Sequence, residues 1–87
     1  MSAVEIERQV LELFLQVAPD VDPTQLDRKT PFRDQFDFDS MDTLNFAIAL
    51  HRVFAIEIPE TDYRHLASLE RAVSYVSAAL GTKPLGP

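Results

Sequence analysis

The sequence predicts an all-α domain of four helices with a long first loop and a short third helix. Three observations point there. Apolar residues recur at spacings of three and four in three separate segments, prolines break those segments, and nowhere do alternating residues run long enough to pair as a strand. The first helix runs from Ser2 or Ala3 to Val17, with Ile6, Val10, Leu13, Phe14 and Val17 on one stripe and Pro19 after its end. A connection from Pro19 to Phe38 follows, punctuated by Pro19, Pro23 and Pro31. Its length makes it a packed loop rather than an inert one, pinned by Leu26, Phe32 and Phe36 and carrying a short turn near Thr24 to Leu26.

The second helix spans Ser40 to about Val53, and its apolar residues Met41, Leu44, Phe46, Ala47, Ile48, Leu50 and Val53 form a band wider than one partner helix needs. It is expected to face both the core and a second apolar space. Ile56-Glu57-Ile58 alternates, but three residues before a proline have no partner strand, so it reads as an extended connection. A short third helix covers Glu60 to His65. The fourth takes Ser68 as its N-cap and runs through Leu69, Ala72, Val73, Val76 and Leu80, with Gly81 as a C-terminal stop. Residues 1–81 are read as the domain and 82–87 as a flexible tail.

With 87 residues, 46% of them hydrophobic, the chain makes one domain with one modest core. Cysteine is absent, so there are no disulfides or thiolate metal sites, and a reactive thiol would have to arrive on a prosthetic group. Glu5, Glu7 and Arg8 near the start, with no long apolar run, give no signal peptide or membrane span, and a cytoplasmic protein is expected. Fourteen acids against eight bases give a net charge of −6, which argues against nucleic acid and for basic protein partners. The absence of a surplus heptad pattern makes a monomer the simplest expectation.

Asp39-Ser40-Met41-Asp42 is the most informative stretch. Asp39 reads as the N-cap, Ser40 as the first helical residue, and Asp42 as the third, able to reach back in a capping box. A helix start offers unpaired N–H groups and the positive end of the peptide dipole, so a phosphodiester on the Ser40 oxygen would sit in favourable surroundings. By itself, acid-Ser-x-acid is also an ordinary helix opening.

Upstream stands Thr30-Pro31-Phe32-Arg33-Asp34-Gln35-Phe36, and downstream Phe54-Ala55-Ile56-Glu57-Ile58-Pro59-Glu60-Thr61-Asp62. Together with the helix opening these resemble the acyl carrier proteins, over about Ile6 to Leu80. The resemblance implies that Ser40 carries a 4'-phosphopantetheine arm, with Asp39 beside it, and that acyl groups ride on the arm's thiol as thioesters. It implies as partners a phosphopantetheinyl transferase using CoA and Mg²⁺, and acyl-loading and acyl-transferring enzymes with basic docking patches. It also implies an apolar acyl space lined by Met41, Leu44, Phe46, Ile48, Ile58 and Leu66. The acids Asp34, Asp37, Asp39 and Asp42, with Met41, are candidates for the docking surface; an acidic loop that only stabilises the helix dipole is the plain alternative.

The chain departs from the family pattern in places. Asp37 stands where a glycine is usual, Met41 where leucine is usual, and Asn45, His51 and Arg52 where carriers of fatty-acid synthesis show Glu. Asp37 is expected to accept a left-handed backbone there. The loss of acids weakens the match to standard basic partners and suggests a specialised carrier, for fatty-acid, polyketide or other acyl metabolism. Two further readings stay open: an unmodified helical interaction domain, and a peptidyl carrier.

Catalysis by the chain itself fares poorly. His51 lies eleven residues along the same helix from Ser40, about 16 Å away, and no Gly-x-Ser-x-Gly elbow surrounds the serine. A calcium loop beginning at Asp20-Val21-Asp22 fails too, because Gln25 replaces the needed glycine and Pro31 the bidentate Glu. No enzyme activity and no metal site are expected.

Overall fold

Apolar stripes at helical spacing cannot be buried by one helix alone, and in the computed structural model, which describes residues 2–81, they close on one another. Helix α1 (Ala3–Val17) opens on Ser2, whose hydroxyl accepts from the Glu5 N–H, and buries Ile6, Val10, Leu13 and Phe14. Helix α2 is a single turn (Phe32–Gln35), α3 spans Ser40–Phe54, and α4 spans Leu69–Ala79. Two 3-10 segments, Pro23–Gln25 and Glu60–Leu66, complete the chain. No strand occurs among the described residues. Helix α1 packs on α3 and α4, and the second 3-10 segment packs on the same two helices.

The long first connection is held by specific bonds. The Gln35 amide donates to the carbonyls of Asp27 and Thr30 at 2.7 and 2.8 Å, and its Oε1 accepts from the Asp27 N–H at 2.9 Å. The Phe32 N–H donates to the Ala67 carbonyl at 2.7 Å, and the Glu70 N–H to that of Arg28 at 2.8 Å, which ties the loop to the start of α4. The expected pins are present: Phe32 is buried, and Leu26 and Phe36 pack against the core. The helical turn at α2 is an addition to the packed loop read from sequence; Pro31 is its N-cap, and four residues are too few to show a period.

Five of the six phenylalanines gather at the end of the molecule that carries the start of α3. Phe14 stacks on Phe32 with ring centres 4.0 Å apart, meets Phe46 edge-on at 5.7 Å, and lies 5.3 Å from Phe38 and 6.2 Å from Phe36. Such offset and edge-on pairs add to area burial and fix ring positions.

The segment Ile56-Glu57-Ile58 belongs to neither a helix nor a strand, and Ser68 caps α4 by accepting from the Arg71 N–H. Gly81 has φ of +74°, the left-handed conformation that ends a helix. The 82–87 tail lies outside the described residues. Asp37 does not need the left-handed conformation foreseen for it; among the described residues the only non-glycine with positive φ is Ala55, at φ 54° and ψ 43° just after α3. The bend that demands that geometry is at the helix's end, not before its start.

Candidate functional site

The tip of α3 is built by a reciprocal pair. Asp39 Oδ1 accepts from the Asp42 N–H at 3.0 Å, and Asp42 Oδ2 accepts from the Asp39 N–H at 3.1 Å, completing the capping box. The Asp39 carbonyl takes the Thr43 N–H at 3.1 Å as the first helical bond. Between these lie the N–H groups of Ser40 and Met41, which find no acceptor among the described residues. Ser40 itself is exposed. Its hydroxyl therefore stands in reach of another protein, beside two unpaired donors at the positive end of a helix of 15 residues.

Two different surfaces flank this tip. On one side is an acidic groove of about 600 Å³ lined by Asp20, Asp22, Asp37 and Asp42 against Val21 and Phe36. The Thr24 hydroxyl, then the Thr24 N–H, holds the Asp22 carboxyl below the usual carboxylate range. Of the four acids expected to act together, Asp37 and Asp42 face this groove, Asp39 bonds to Asp42, and Asp34 sits apart on α2. Asp20 and Asp22, read from sequence only as a failed calcium loop, join them through the fold. No group of three or more His, Asp or Glu among the described residues is placed to hold a metal ion.

On the other side is a cavity of about 480 Å³. Ser40 and Thr43 line it together with apolar Pro31, Phe32, Phe38, Tyr63 and Ala67 and with Arg33, Arg64 and Arg71. None of the six residues expected to line an apolar space borders it. Phe46 and Leu66 are fully buried in the core, Ile58 packs against that core from its edge, and Leu44 is half-buried. Met41 and Ile48 are 62% and 44% exposed. The correction has a geometric reason: at about 100° per residue, Met41 and Ile48 fall nearly opposite the buried row Phe46, Ala47, Leu50 and Phe54, and Leu44 falls at its margin. The broad apolar band of the helix thus faces the core on one side and solvent on the other, rather than a second internal space. Met41 lies on the surface one step past Ser40.

His51 is occupied elsewhere. Its Nδ1 lies 2.7 Å from the Ile56 carbonyl, which can only accept, so Nδ1 carries the proton and closes the turn through Ala55. The residues missed by sequence reading are Phe38, Tyr63, Arg64 and Arg71. Phe38 stands two residues before Ser40, but Tyr63, Arg64 and Arg71 come from the second 3-10 segment and α4, and no spacing along the chain links these three to Ser40.

An exposed serine at the start of a long helix, in a small helical domain, fits a post-translationally loaded carrier. The model of a protein family described as the phosphopantetheine attachment site matches residues 8–76 of the chain. The chain belongs to that family, and 4'-phosphopantetheine is its prosthetic group. Proteins of this class serve as phosphopantetheine carriers that work with a phosphopantetheinyl transferase and with the enzymes that use the arm. The site's donor chemistry agrees: free N–H groups and a helix dipole suit the phosphodiester such an arm brings. No helix is long and apolar enough to cross a membrane among the described residues.

Proposed function

We propose that the protein carries acyl intermediates on a 4'-phosphopantetheine arm attached to the Ser40 oxygen, and that the polypeptide performs no bond-making of its own. The observation that carries this reading is the exposure of Ser40 at the first position of α3, beside the unpaired N–H groups of Ser40 and Met41. Asp39 and Asp42 hold that tip rigid, so the arm swings from a fixed point. When bound, the group supplies a terminal thiol that this cysteine-free chain lacks, and that thiol holds cargo as a thioester. The acids at the tip, with exposed Met41 beside them, offer a docking surface to basic partners, namely a transferase acting with CoA and Mg²⁺ and the acyl-loading and acyl-transferring enzymes.

Asn45, His51 and Arg52 thin out the negative charge further along α3. All three are exposed, which supports a carrier with its own partner set, outside housekeeping fatty-acid synthesis; we take it as a cytoplasmic monomer. The test is to coexpress the chain with a broad-specificity phosphopantetheinyl transferase and weigh the intact product. One phosphopantetheine is gained by the parent and none by Ser40→Ala. An unchanged parent mass would favour an unmodified interaction domain.

A further inference from the structure

We infer that the groove between α1 and α4 is a docking site for a lysine side chain of a partner protein, on a surface separate from the one around Ser40. The inference goes beyond the carrier reading and does not depend on what Ser40 carries.

The groove has a volume of about 350 Å³; Val4 and Glu7 line it from α1, Glu70, Val73 and Ser77 from α4, and Arg28 from the loop. No residue of α3 borders it. Two groups in its lining lack a partner. Ser77 is fully buried, and its hydroxyl makes no hydrogen bond among the described residues, which leaves a desolvated polar group unmet. Glu70 is half-buried and makes no ion pair among the described residues, where the one present joins Arg28 to Glu7. On its other side Glu70 borders a cavity that holds Asp62, His65 and Arg71, where Arg71 Nη2 lies 3.4 Å from His65 Nδ1 rather than on a carboxylate. Val4 is 72% exposed, more than any other large hydrophobic among the described residues.

These groups follow one another along a line. Glu70, Val73 and Ser77 share one face of α4 because they are spaced by three and four residues, and at 1.5 Å per residue the two polar ends are about 10 Å apart along the helix. A lysine residue has the matching form, with a peptide group at one end, an aliphatic stem and an ammonium at the other. Its ammonium pairs with Glu70, its stem lies on Val73, and its peptide group meets the Ser77 hydroxyl, which a turn about the Cα–Cβ bond brings toward the groove. A compact ammonium suits the space better than a second guanidinium, since Arg28 already brings one. The volume stands at the low end for small-molecule sites and fits one side chain, while exposed Val4 offers apolar contact to its neighbour in the partner. The charge agrees: a chain of net charge −6 attracts basic partners, and the groove itself sets Glu7 and Glu70 against Arg28. A lysine seated here covers no residue of α3.

The experiment follows the amide resonances of the full chain during titration with Nα-acetyl-lysine-N-methylamide. Two controls each remove one element: the norleucine analogue keeps the stem and peptide groups without the charge, and butylammonium chloride keeps the stem and charge without the peptide groups. The lysine compound is expected to give saturable shifts confined to residues 3–7, 28 and 70–77, and each control to bind about fivefold more weakly. Glu70→Gln removes the preference over norleucine. Ser77→Ala, which exchanges an unpaired hydroxyl for hydrogen, removes the preference over butylammonium, and both variants keep the parent's helical circular dichroism. Equal binding of the lysine and norleucine compounds overturns the inference. So do shifts of equal size at Asp20, Asp22, Asp37 and Asp42, which would show an ammonium drawn to any carboxylate. Intact mass after treatment with a phosphopantetheinyl transferase tests the carrier reading separately, so either can fail without the other.

Discussion

Tyr75 on α4 donates its phenolic hydrogen to Asp62 Oδ2 at 2.7 Å and so ties the Glu60–Leu66 segment to the last helix. The same hydroxyl lies 3.4 Å from the Glu57 carbonyl, and the ring stacks on His65 at 6.0 Å. One side chain thereby holds the short segment that contributes Tyr63 and Arg64 to the cavity beside Ser40.

Removing that hydroxyl with Tyr75→Phe is expected to lower stability by about 1 kcal/mol, the ordinary net value of such a bond. Urea denaturation at pH 7 measures it. A variant as stable as the parent would show that Asp62 and Tyr75 are equally content with water.

Burial, then the bond to Asp62 and its charge, pushes the Tyr75 phenol from 10.0 up to about 12. The folded state therefore holds its proton more tightly than the unfolded one. The associated stability is fully present below pH 10 and is lost as pH rises through about 12, because there the unfolded chain releases the proton first. An ultraviolet titration of the two tyrosines should show a late component that Tyr75→Phe removes.

The reciprocal bonds of Asp39 and Asp42 yield a second stability prediction. Asp39→Ala frees the Asp42 N–H and is expected to cost about 1 kcal/mol, while Asp39→Asn, which can still accept, costs less. Both are read by thermal melting. If the two variants melt together, charge at the helix tip matters more there than the hydrogen bond.

Ala55 sits at φ 54°, where a methyl group crowds the backbone and a glycine does not. Ala55→Gly is expected to raise stability by roughly 0.5–1 kcal/mol even after the added freedom of the unfolded chain is counted, since the exposed methyl packs on nothing it would lose. His51→Ala at the same turn removes the bond to the Ile56 carbonyl and should act in the opposite direction. Denaturant midpoints of the two variants, falling on either side of the parent, check the pair.

Phe14, fully buried, contacts four other phenylalanine rings, including Phe38, which borders the cavity next to Ser40. Phe14→Ala is expected to cost about 3–5 kcal/mol, a large part of the stability of a domain this size. Phe14→Leu costs less and keeps the domain folded. Its amide spectrum should nonetheless shift at residues 36–40, a change that calorimetry alone would miss.

The sequence by itself determined the three long helices and the tip. Stripes such as Ile6, Val10, Leu13 and Phe14 repeat at the helical period, and Asp39, Ser40 and Asp42 form a cap within four residues, because both are local relations that neighbours along the chain enforce. Even His51's distance from Ser40 followed from the rise of one helix. Tertiary structure alone decided which side of α3 is covered, so that Met41 and Ile48 face solvent although their hydrophobicity matches that of their buried neighbours. It also decided that Asp20 and Asp22 meet Asp37 and Asp42, and that Arg33, Arg64 and Arg71 converge beside Ser40. Charges on separate elements carry no period; their proximity is set by how the packed cores of those elements fit, a property of the whole chain rather than of any stretch within it.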